Sequence, residues 1–480
     1  MRQLSGLDAA LWYLESDTQP IHVGALLRIE DYPSPKLGYE GFRLLLESRL
    51  DRVPLLFDVV APSPIPFALP YWMRQETIDL DEHLSLVVLD DAGEAEIDDD
   101  RDVDRLLEDF LAKPLRRDRP AWEMTYVQGG DGRSDFVMMK VHHALLDGSL
   151  GIESLVSLLD VAPDEISGPD VRRDDARQSS STGTQQNGRG ETVSFFQSLL
   201  DLPGEIVTRA RSASLVGDTL SLITKAIAGD DVDAVLRELN FGAPRFSISG
   251  ALGERRSVVR WSLDLGELAS LARSQRMTVN EVVLAICGYA HAQYLKEQGD
   301  EDWEREPIAL MPLSTRRKLA ATTSQNQVSA QLLTLPVVLD DPREQLRRAR
   351  EVSRRAKELH SQIGPNLFAA LASVVTTPLL GSLSRLISKS RVFDRIDPIF
   401  NMVVSNVPGS PVQLFAGQSS VGEIVPFGPV VEGAPINLTI MSYLDRMFFG
   451  LVVDGDLVPN PTRFRDHFLE GQEWLQSALV

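Results

Sequence analysis

The 480-residue sequence predicts an α/β (α+β) protein with two domains, each built from β-strands and packed helices. The chain is longer than one hydrophobic core usually covers, so we expect two domains of roughly 200 residues each. A polar segment at 179–190, rich in Ser, Gly and Gln, separates two apolar halves. Strand-like and helix-like patterns are mixed within each half, which is typical of layered sheets and helices.

The composition excludes several classes of function. Hydrophobic residues make up 43% and charged residues 24% of the chain, which is ordinary for a globular protein. The 69 acidic and 48 basic residues give a formal charge of -21, which disfavours binding to nucleic-acid phosphates. The single cysteine, Cys287, excludes an internal disulfide framework and a cysteine-cluster metal site. The single cysteine fits a protein of the reducing cytosol. No apolar run resembling a signal peptide opens the sequence.

The first half contains a predicted hairpin followed by a helix. Residues 122–128 and 136–141 read as strands, and a glycine-rich turn separates them. Apolar residues at helical spacing follow at 149–159. Two adjacent histidines, His142 and His143, therefore lie at a junction between a strand and a helix.

The middle of the chain divides the two halves. Residues 163–190 are polar and charged, which predicts a disordered surface linker, and 194–240 are apolar at helical spacing, which predicts bridging helices. The predicted organisation is an N-terminal domain at 1–162, a linker with bridging helices at 163–240 and a C-terminal domain at 241–480.

The second half mixes strand and helix patterns. Predicted strands lie at 258–265, 308–313, 328–338, 399–405, 438–443 and 447–453, and predicted helices at 279–295 and 343–359. An uncharged run at 361–384 is interrupted by Pro and Gly, so two short buried helices are favoured over a membrane span. Contact of this run with a lipid surface is the alternative.

The most specific signal is His142-His143 followed after three residues by Asp147 and Gly148. Adjacent residues of an extended segment point to opposite sides, so only one of the two histidines faces a given cavity. A neutral imidazole can remove the proton that makes a hydroxyl a poor nucleophile. We therefore expect one of the two histidines to be a general base and the other to be structural, with Asp147 fixing the loop and Gly148 permitting its backbone conformation. A metal site is disfavoured because adjacent side chains diverge.

The motif resembles the active-site signature of the coenzyme A-dependent acyltransferase superfamily, which includes chloramphenicol acetyltransferases and peptide-synthetase condensation domains. Seven further segments resemble the bacterial wax ester synthase/diacylglycerol acyltransferase family, in matching order over nearly the whole chain. They are LSGLDAALWYLES at 4–16, PLRRDRPAWE at 114–123, VNEVVLAICGY at 279–289, MPLSTRRK at 311–318, QNQVS at 325–329, SNVPGS at 405–410 and SYLDRMFFGLVVD at 442–454.

The resemblance implies two chloramphenicol acetyltransferase-like domains, each a mixed β-sheet with packed helices, and an active-site tunnel at their interface. It implies an O-acyltransferase that uses acyl-CoA as co-substrate and holds no cofactor or metal. The acceptor would be diacylglycerol, giving triacylglycerol, or a long-chain alcohol, giving a wax ester. The expected location is cytoplasmic, peripheral to the inner membrane or to lipid droplets.

The resemblance also assigns residues. It implies that the second histidine of the motif, His143, is the general base and that His142, Asp147 and Gly148 support the site. Asn280 matches the asparagine of a family Asn-Asp pair and is a candidate oxyanion donor, although a helix N-cap is an equal alternative. Substrate-binding candidates are Trp122, Glu281, Ser405 and Asn406. Glu281 stands where the family has aspartate, and an alanine precedes Trp122 where the family has leucine, so both departures bear on the acceptor pocket.

Two other functions compete with this one. A condensation-type acyltransferase would take its donor from a carrier domain, but the sequence shows no obvious carrier segment. A lipid-binding or lipid-droplet protein of the same fold would not need a base, and the intact motif at 142–148 disfavours it. Release of thiol from an acyl-CoA, with and without an acceptor alcohol, separates the three.

Overall fold

The structure, a computed structural model, describes residues 2–30, 37–64, 68–89, 99–130, 134–145, 157–163, 242–314, 328–363, 391–395 and 397–477. The strands in these ranges are β1 (Arg2–Gln3), β2 (His22–Glu30), β3 (Asp58–Ala61), β4 (Tyr71–Arg74), β5 (Leu84–Val88), β6 (Trp122–Gln128), β7 (Asp135–His142), β8 (Arg256–Asp264), β9 (Ile308–Ser314), β10 (Val328–Thr334), β11 (Met402–Val407), β12 (Phe415–Ala416), β13 (Ser419–Phe427), β14 (Ile436–Tyr443) and β15 (Arg446–Asp454). The α-helices are α1 (Gly6–Leu14), α2 (Gly38–Arg49), α3 (Asp99–Ala112), α4 (Leu265–Ser274), α5 (Val279–Glu297), α6 (Pro342–Ile363) and α7 (Thr462–Gln476).

The first six-stranded sheet has the order β12-β13-β2-β7-β6-β5. Its centre is the antiparallel pair of β2 and β7, and every residue of β7 is buried. The strand β13 comes from the second half of the chain and pairs with β2, with Phe427 opposite Gly24. The first sheet is therefore completed by strands that lie more than 250 residues further along the sequence.

The second six-stranded sheet has the order β10-β9-β11-β14-β15-β8. Strand β11 is parallel to β9 and β14, and the remaining pairs are antiparallel. A small sheet of order β1-β4-β3 accompanies the first half. Two sheet-containing units with packed helices confirm the predicted α/β fold class, whereas the predicted domain boundaries stay a prediction.

Helix α3 connects the two halves through polar contacts. Glu108 accepts the backbone N–H of Val258 in β8 at 2.9 Å. Arg260, also in β8, donates to the carboxylates of Asp104 and Asp100, each at 2.6 Å. These contacts hold an edge strand of the second sheet against a helix of the first half.

Helix α5 is buried on nearly every side because its sequence is apolar around most of its circumference. It packs among side chains from β9, β11 and β14 in the core of the second half. A Cβ atom at Gly288 would lie 2.1 Å from the carbonyl oxygen of Pro336, so only glycine permits this approach of the helix to the segment after β10.

The predicted hairpin and the predicted helices near 279–295 and 343–359 are confirmed as β6–β7, α5 and α6. The second-half strand predictions correspond to β8, β9, β10, β11, β14 and β15. Apart from residue 163, the predicted disordered linker at 163–190 lies outside the described residues. The predicted bridging helices at 194–240 and most of the runs at 149–159 and 361–384 also lie outside them. In the described ranges, no helix is both long and apolar enough to cross a membrane.

Candidate active site

His143 lies in the turn directly after β7. The register of β2 and β7 places His142 opposite His22, so the turn emerges beside the start of β2. The backbone N–H of His143 donates to the carbonyl oxygen of Ile21 at 3.0 Å, which holds the turn against that strand. His143 is a partly exposed residue, and its Nδ1 is buried.

His142 is enclosed by protein groups and is only 1% exposed. Its Nδ1 accepts the backbone N–H of Ala144 at 3.0 Å, and its ring lies 4.8 Å from the ring of Trp12. Because Nδ1 accepts, the hydrogen-bond network assigns the proton of the neutral ring to Nε2. That Nε2 is buried 3.3 Å from Oε2 of Glu15, which is an electrostatic contact without hydrogen-bond geometry.

Glu15 is a buried carboxylate, 3% exposed at its side chain, and three groups compensate its charge. Oε2 accepts the backbone N–H of Ile21 at 3.1 Å, and Oε1 accepts Nε and Nη2 of Arg117 at 3.2 and 3.1 Å. Burial by itself would raise the pKa of Glu15, but His142, Arg117 and the N–H of Ile21 outweigh it and lower the pKa to about 2. Glu15 is therefore ionised at neutral pH.

Asn280 lies in the first turn of α5 and contacts Asn406 in β11. Nδ2 of Asn406 donates to Oδ1 of Asn280. The N-cap of α5 is Thr278, so the alternative that Asn280 caps this helix is wrong. Since its oxygen accepts from Asn406, the exposed Asn280 carboxamide presents its N–H groups as donors.

Glu281 belongs to the capping box of α5. Its carboxylate accepts the backbone N–H of Thr278 at 2.9 Å, and its own N–H donates to Oγ1 of Thr278 at 3.3 Å. Glutamate is common at this position of a capping box, but the shorter Asp8 closes the same box in α1. The Glu281 carboxylate is thus bound to its own helix terminus, and the cap does not explain the departure from aspartate.

The remaining candidates lie in different environments. Trp122 is fully buried, donates from Nε1 to the carbonyl oxygen of Leu56 at 2.9 Å and stacks on His83 with ring centroids 4.2 Å apart. It therefore supports the first sheet from within the core. Ser405 and Asn406 are consecutive residues of β11 and point to opposite faces of the second sheet, so they do not line the same side.

Some predictions fall outside what the structure tests. Asp147 and Gly148 lie outside the described residues. Among the residues that are described, no group of three or more His, Cys, Asp or Glu side chains is arranged to hold a metal ion. Cys287 is buried in α5, and burial raises the pKa of its thiol, which suits a packing role.

The sequence alone assigned no role to Glu15 or to its partners Ile21 and Arg117. It also assigned none to Trp12, which packs against His142. The motif stretches at 4–16 and 114–123 contain Glu15, Trp12 and Arg117, but neither stretch has a pattern that marks a buried ion pair. A charged residue directly after an apolar helix was the one available signal.

Comparison with known proteins identifies the family. A profile of the wax ester synthase/diacylglycerol acyltransferase catalytic domain matches residues 4–283. The chain belongs to this family. A profile of the C-terminal domain of the wax ester synthase/diacylglycerol acyltransferases matches residues 324–475. The resemblance drawn from the motifs is thereby confirmed.

Relatives match along nearly the whole chain. A Mycobacterium tuberculosis protein named as a diacylglycerol O-acyltransferase is 28% identical over 473 residues, which are 98% of this chain and 89% of that protein. The solved wax ester synthase/diacylglycerol acyltransferase of Marinobacter aquaeolei VT8 is 21% identical with a TM-score of 0.67, and each chain covers 100% of the other.

The fold is also shared with more distant proteins. The starter condensation domain of rhizomide synthetase is 12% identical with a TM-score of 0.57, and the match covers 100% of this chain and 94% of that one. At this identity the likeness shows the fold alone, which is the fold of the condensation and acyltransferase domains expected from the motif.

Proposed function

We propose that this protein transfers a fatty acyl group from acyl-CoA to the hydroxyl of diacylglycerol or of a long-chain alcohol, with His143 as the general base. The observation that carries the proposal is the difference between the two adjacent histidines. His142 is enclosed by Trp12, Ala144 and Glu15, whereas His143 is a partly exposed residue in the turn after β7. A single-base mechanism needs only one of the two histidines to meet the reactants.

In the proposed reaction, His143 removes the proton of the acceptor hydroxyl, and the oxygen attacks the thioester carbonyl carbon. A C–O bond forms, and the carbonyl oxygen becomes an oxyanion. Collapse of this intermediate breaks the C–S bond, and the protonated His143 returns its proton to the departing thiolate of coenzyme A. No acyl-enzyme forms, and the acyl group passes directly from sulfur to oxygen.

Asn280 is the proposed oxyanion donor. Its carboxamide oxygen accepts from Asn406, which orients the amide so that its N–H groups point away from that partner. A donor fixed before the reaction stabilises the developing negative charge without reorganisation. Asn406 thus acts in the proposal by orienting Asn280.

The proposed architecture keeps the domains at 1–162 and 241–480, joined through 163–240, with the tunnel between them. We place the protein in the cytoplasm, at the surface of the inner membrane or of lipid droplets, because its acceptors are lipids. Flotation with liposomes tests the location. Protein that stays at the bottom of the gradient with and without diacylglycerol in the vesicles contradicts it.

Thiol release from palmitoyl-CoA, with diacylglycerol, hexadecanol or no acceptor, tests the function. We expect acceptor-dependent release and ester formation, which His143→Ala reduces by at least about 100-fold. The matched control is His467→Gln in α7, where the ring nitrogens bond to the carboxylates of Glu470 and Glu297. Ester formation by His143→Ala at the wild-type rate, or silence of the wild type with every acceptor, refutes the proposal.

Asn280→Ala tests the oxyanion donor separately. Loss of one such donor typically costs about 3 kcal/mol of transition-state stabilisation, or roughly 100-fold in kcat. The helix N-cap remains in this variant because Thr278 supplies it, so folding should be unchanged. A folded Asn280→Ala protein with wild-type kcat removes Asn280 from the mechanism.

A further inference from the structure

Glu15 connects two separate supports of the turn that carries the proposed base. The first support runs through Ile21, whose N–H donates to Glu15 at 3.1 Å and whose carbonyl oxygen accepts the N–H of His143 at 3.0 Å. The two contacts use opposite sides of a single residue. A displacement of the Glu15 carboxylate therefore moves the acceptor that holds the His143 backbone.

The second support runs through His142. Its Nε2 faces Oε2 of Glu15 at 3.3 Å, and its Nδ1 accepts the N–H of Ala144 at 3.0 Å. The carboxylate favours the tautomer with hydrogen on Nε2, and only that neutral tautomer leaves Nδ1 free to accept from Ala144. The residues before and after the His143 side chain are thus both fixed by contacts that lead to one carboxylate.

Glu15 itself is held from the other side. Arg117 donates two hydrogen bonds to its Oε1 and one, at 2.8 Å, to the carbonyl oxygen of Trp12. The Arg117 guanidinium also lies 4.6 Å from the Trp12 ring, which in turn packs against His142. The carboxylate is therefore rigidly placed before any substrate binds.

The loop from Glu15 to Ile21 is also attached to the second half of the chain. The N–H of Glu432 donates to the side-chain oxygen of Gln19 at 2.7 Å, and Arg256 donates to the carbonyl oxygen of Thr18. The segment that holds His143 thus contacts residues on the far side of the boundary between the halves.

We propose that Glu15 is a positioning residue that orients the His143 base through Ile21 and His142. The inference rests on the proposed function, because it assigns His143 the role of base. Glu15 acts through the turn and does not contact the reacting atoms. Its loss should lower turnover and leave the binding of substrate largely intact.

The kinetic test is Glu15→Gln, which keeps the side-chain length and removes the charge. Misplacement of a catalytic group by about 1 Å typically costs up to about 100-fold, so we expect kcat to fall by about 10- to 100-fold. The KM for palmitoyl-CoA should stay within about twofold, because Glu15 touches no substrate. A folded variant with kcat within about twofold of the wild type overturns the proposal.

The matched control is Asp135→Asn at the opposite end of β7. Asp135 is also a buried carboxylate, accepting the hydroxyl of Tyr126 at 2.6 Å and the N–H of Gly129 at 2.9 Å. Its substitution removes a buried charge from the same strand without touching the turn at His143. Its kcat should stay within about twofold of the wild type, and an equal loss in both variants assigns the effect to general destabilisation, which overturns the proposal.

Amide hydrogen exchange separates failure of this inference from failure of the proposed function. The N–H groups of Ile21, His143 and Ala144 should exchange faster in Glu15→Gln than in the wild type, and Asp135→Asn should leave them unchanged. Unchanged protection in Glu15→Gln overturns the positioning role whatever the activity. Faster exchange in a protein whose His143→Ala variant still makes ester keeps the role in ordering the turn and refutes the base.

Discussion

Two buried basic side chains, Lys140 in the first half and His291 in the second, have opposite surroundings. On the first sheet, Lys140 of β7 is 1% exposed and stays paired, because Nζ donates to the carbonyl oxygens of Phe110 and Lys113, each at 2.7 Å, and lies 3.3 Å from the carboxylate of Glu123. In the second half, His291 of helix α5 is fully buried. Among the described residues, neither of its ring nitrogens has a hydrogen-bond partner.

The contrast shows that the partners of a buried group, and not burial alone, decide whether it keeps its charge. In the first half, Glu15 remains ionised because partners compensate the cost of burial. In the second half, burial lowers the pKa of His291 to about 4 and raises that of Cys287, so both groups are neutral near pH 7. Neither half follows one rule, since His22 in β2 is buried with its pKa lowered to about 3, and Arg256 in β8 is paired with the buried carboxylate of Asp454.

The largest expected effect comes from breaking the pairing on the first sheet. Lys140→Met leaves the Glu123 carboxylate and the carbonyl groups at the end of α3 without their cation. Glu123 is itself partly exposed, so the loss comes mainly from the two carbonyl oxygens, and each acceptor left without its donor typically costs about 1–3 kcal/mol. Urea unfolding measures the loss, with Lys296→Met on the exposed side of α5 as the control, expected within about 0.5 kcal/mol. Equal stability of the two variants contradicts the comparison.

The second prediction concerns acid, and it uses the unpaired histidine. The pKa of His291 is lowered from 6.5 to about 4 in the folded protein, because burial disfavours the charged ring. Between these values the unfolded chain binds the proton more tightly, so stability is full above pH 6.5 and falls as the pH drops toward 4. The loss from this residue is about 3 kcal/mol. It reaches its full size below pH 4.

His291→Leu isolates this contribution. The variant removes a group that must become charged in acid, so its stability should fall less than that of the wild type between pH 7 and pH 4. At pH 7.5 the two proteins should be similarly stable, because the neutral ring has no hydrogen bond to lose. Parallel stability curves for the two proteins over this range, measured by urea unfolding, contradict the assignment.

Much of the fold could be predicted because period and turn chemistry act locally. The hairpin β6–β7 and helix α5 follow directly from alternation, a glycine-rich turn and helical spacing. Strand β13 was missed, since Gly422 and Pro426 interrupt its pattern. Its pairing with β2 joins segments nearly 400 residues apart, and no local signal encodes such a pairing.

The candidate site was predictable only where a motif marked it. His143 and Asn280 lie in short, recognisable stretches, but the role of Glu15 depends on contacts with Ile21 and Arg117 that exist only after folding. The family triplet suggested substrate contact for Trp122, and this stays a prediction. The packing of its ring against His83 is evident only in the folded structure.

The third prediction tests the close contact between the two sheets, where β15 packs against β13. A Cβ atom at Gly450 in β15 would lie 2.0 Å from the carbonyl oxygen of Pro426 in β13, so Gly450→Ala forces the sheets apart. Such overpacking typically costs about 1–3 kcal/mol. Gly242→Ala is the control, because its nearest neighbour would be 3.9 Å away. Thermal unfolding that does not distinguish the two variants contradicts the close packing of the sheets.

The smallest expected effect compares the helix caps of the two halves. Helix α1 begins with a capping box of Ser5 and Asp8, and α5 begins with one of Thr278 and Glu281. Ser5→Ala and Thr278→Val should each destabilise the protein by about 1 kcal/mol in urea unfolding, because each leaves a helix N–H without its acceptor.

The caps differ in their distance from the proposed site, since the α5 cap precedes Asn280 by two residues. Thr278→Val should therefore also reduce kcat, and Ser5→Ala should not. Equal kcat values for the two variants contradict a role of the α5 terminus in presenting Asn280.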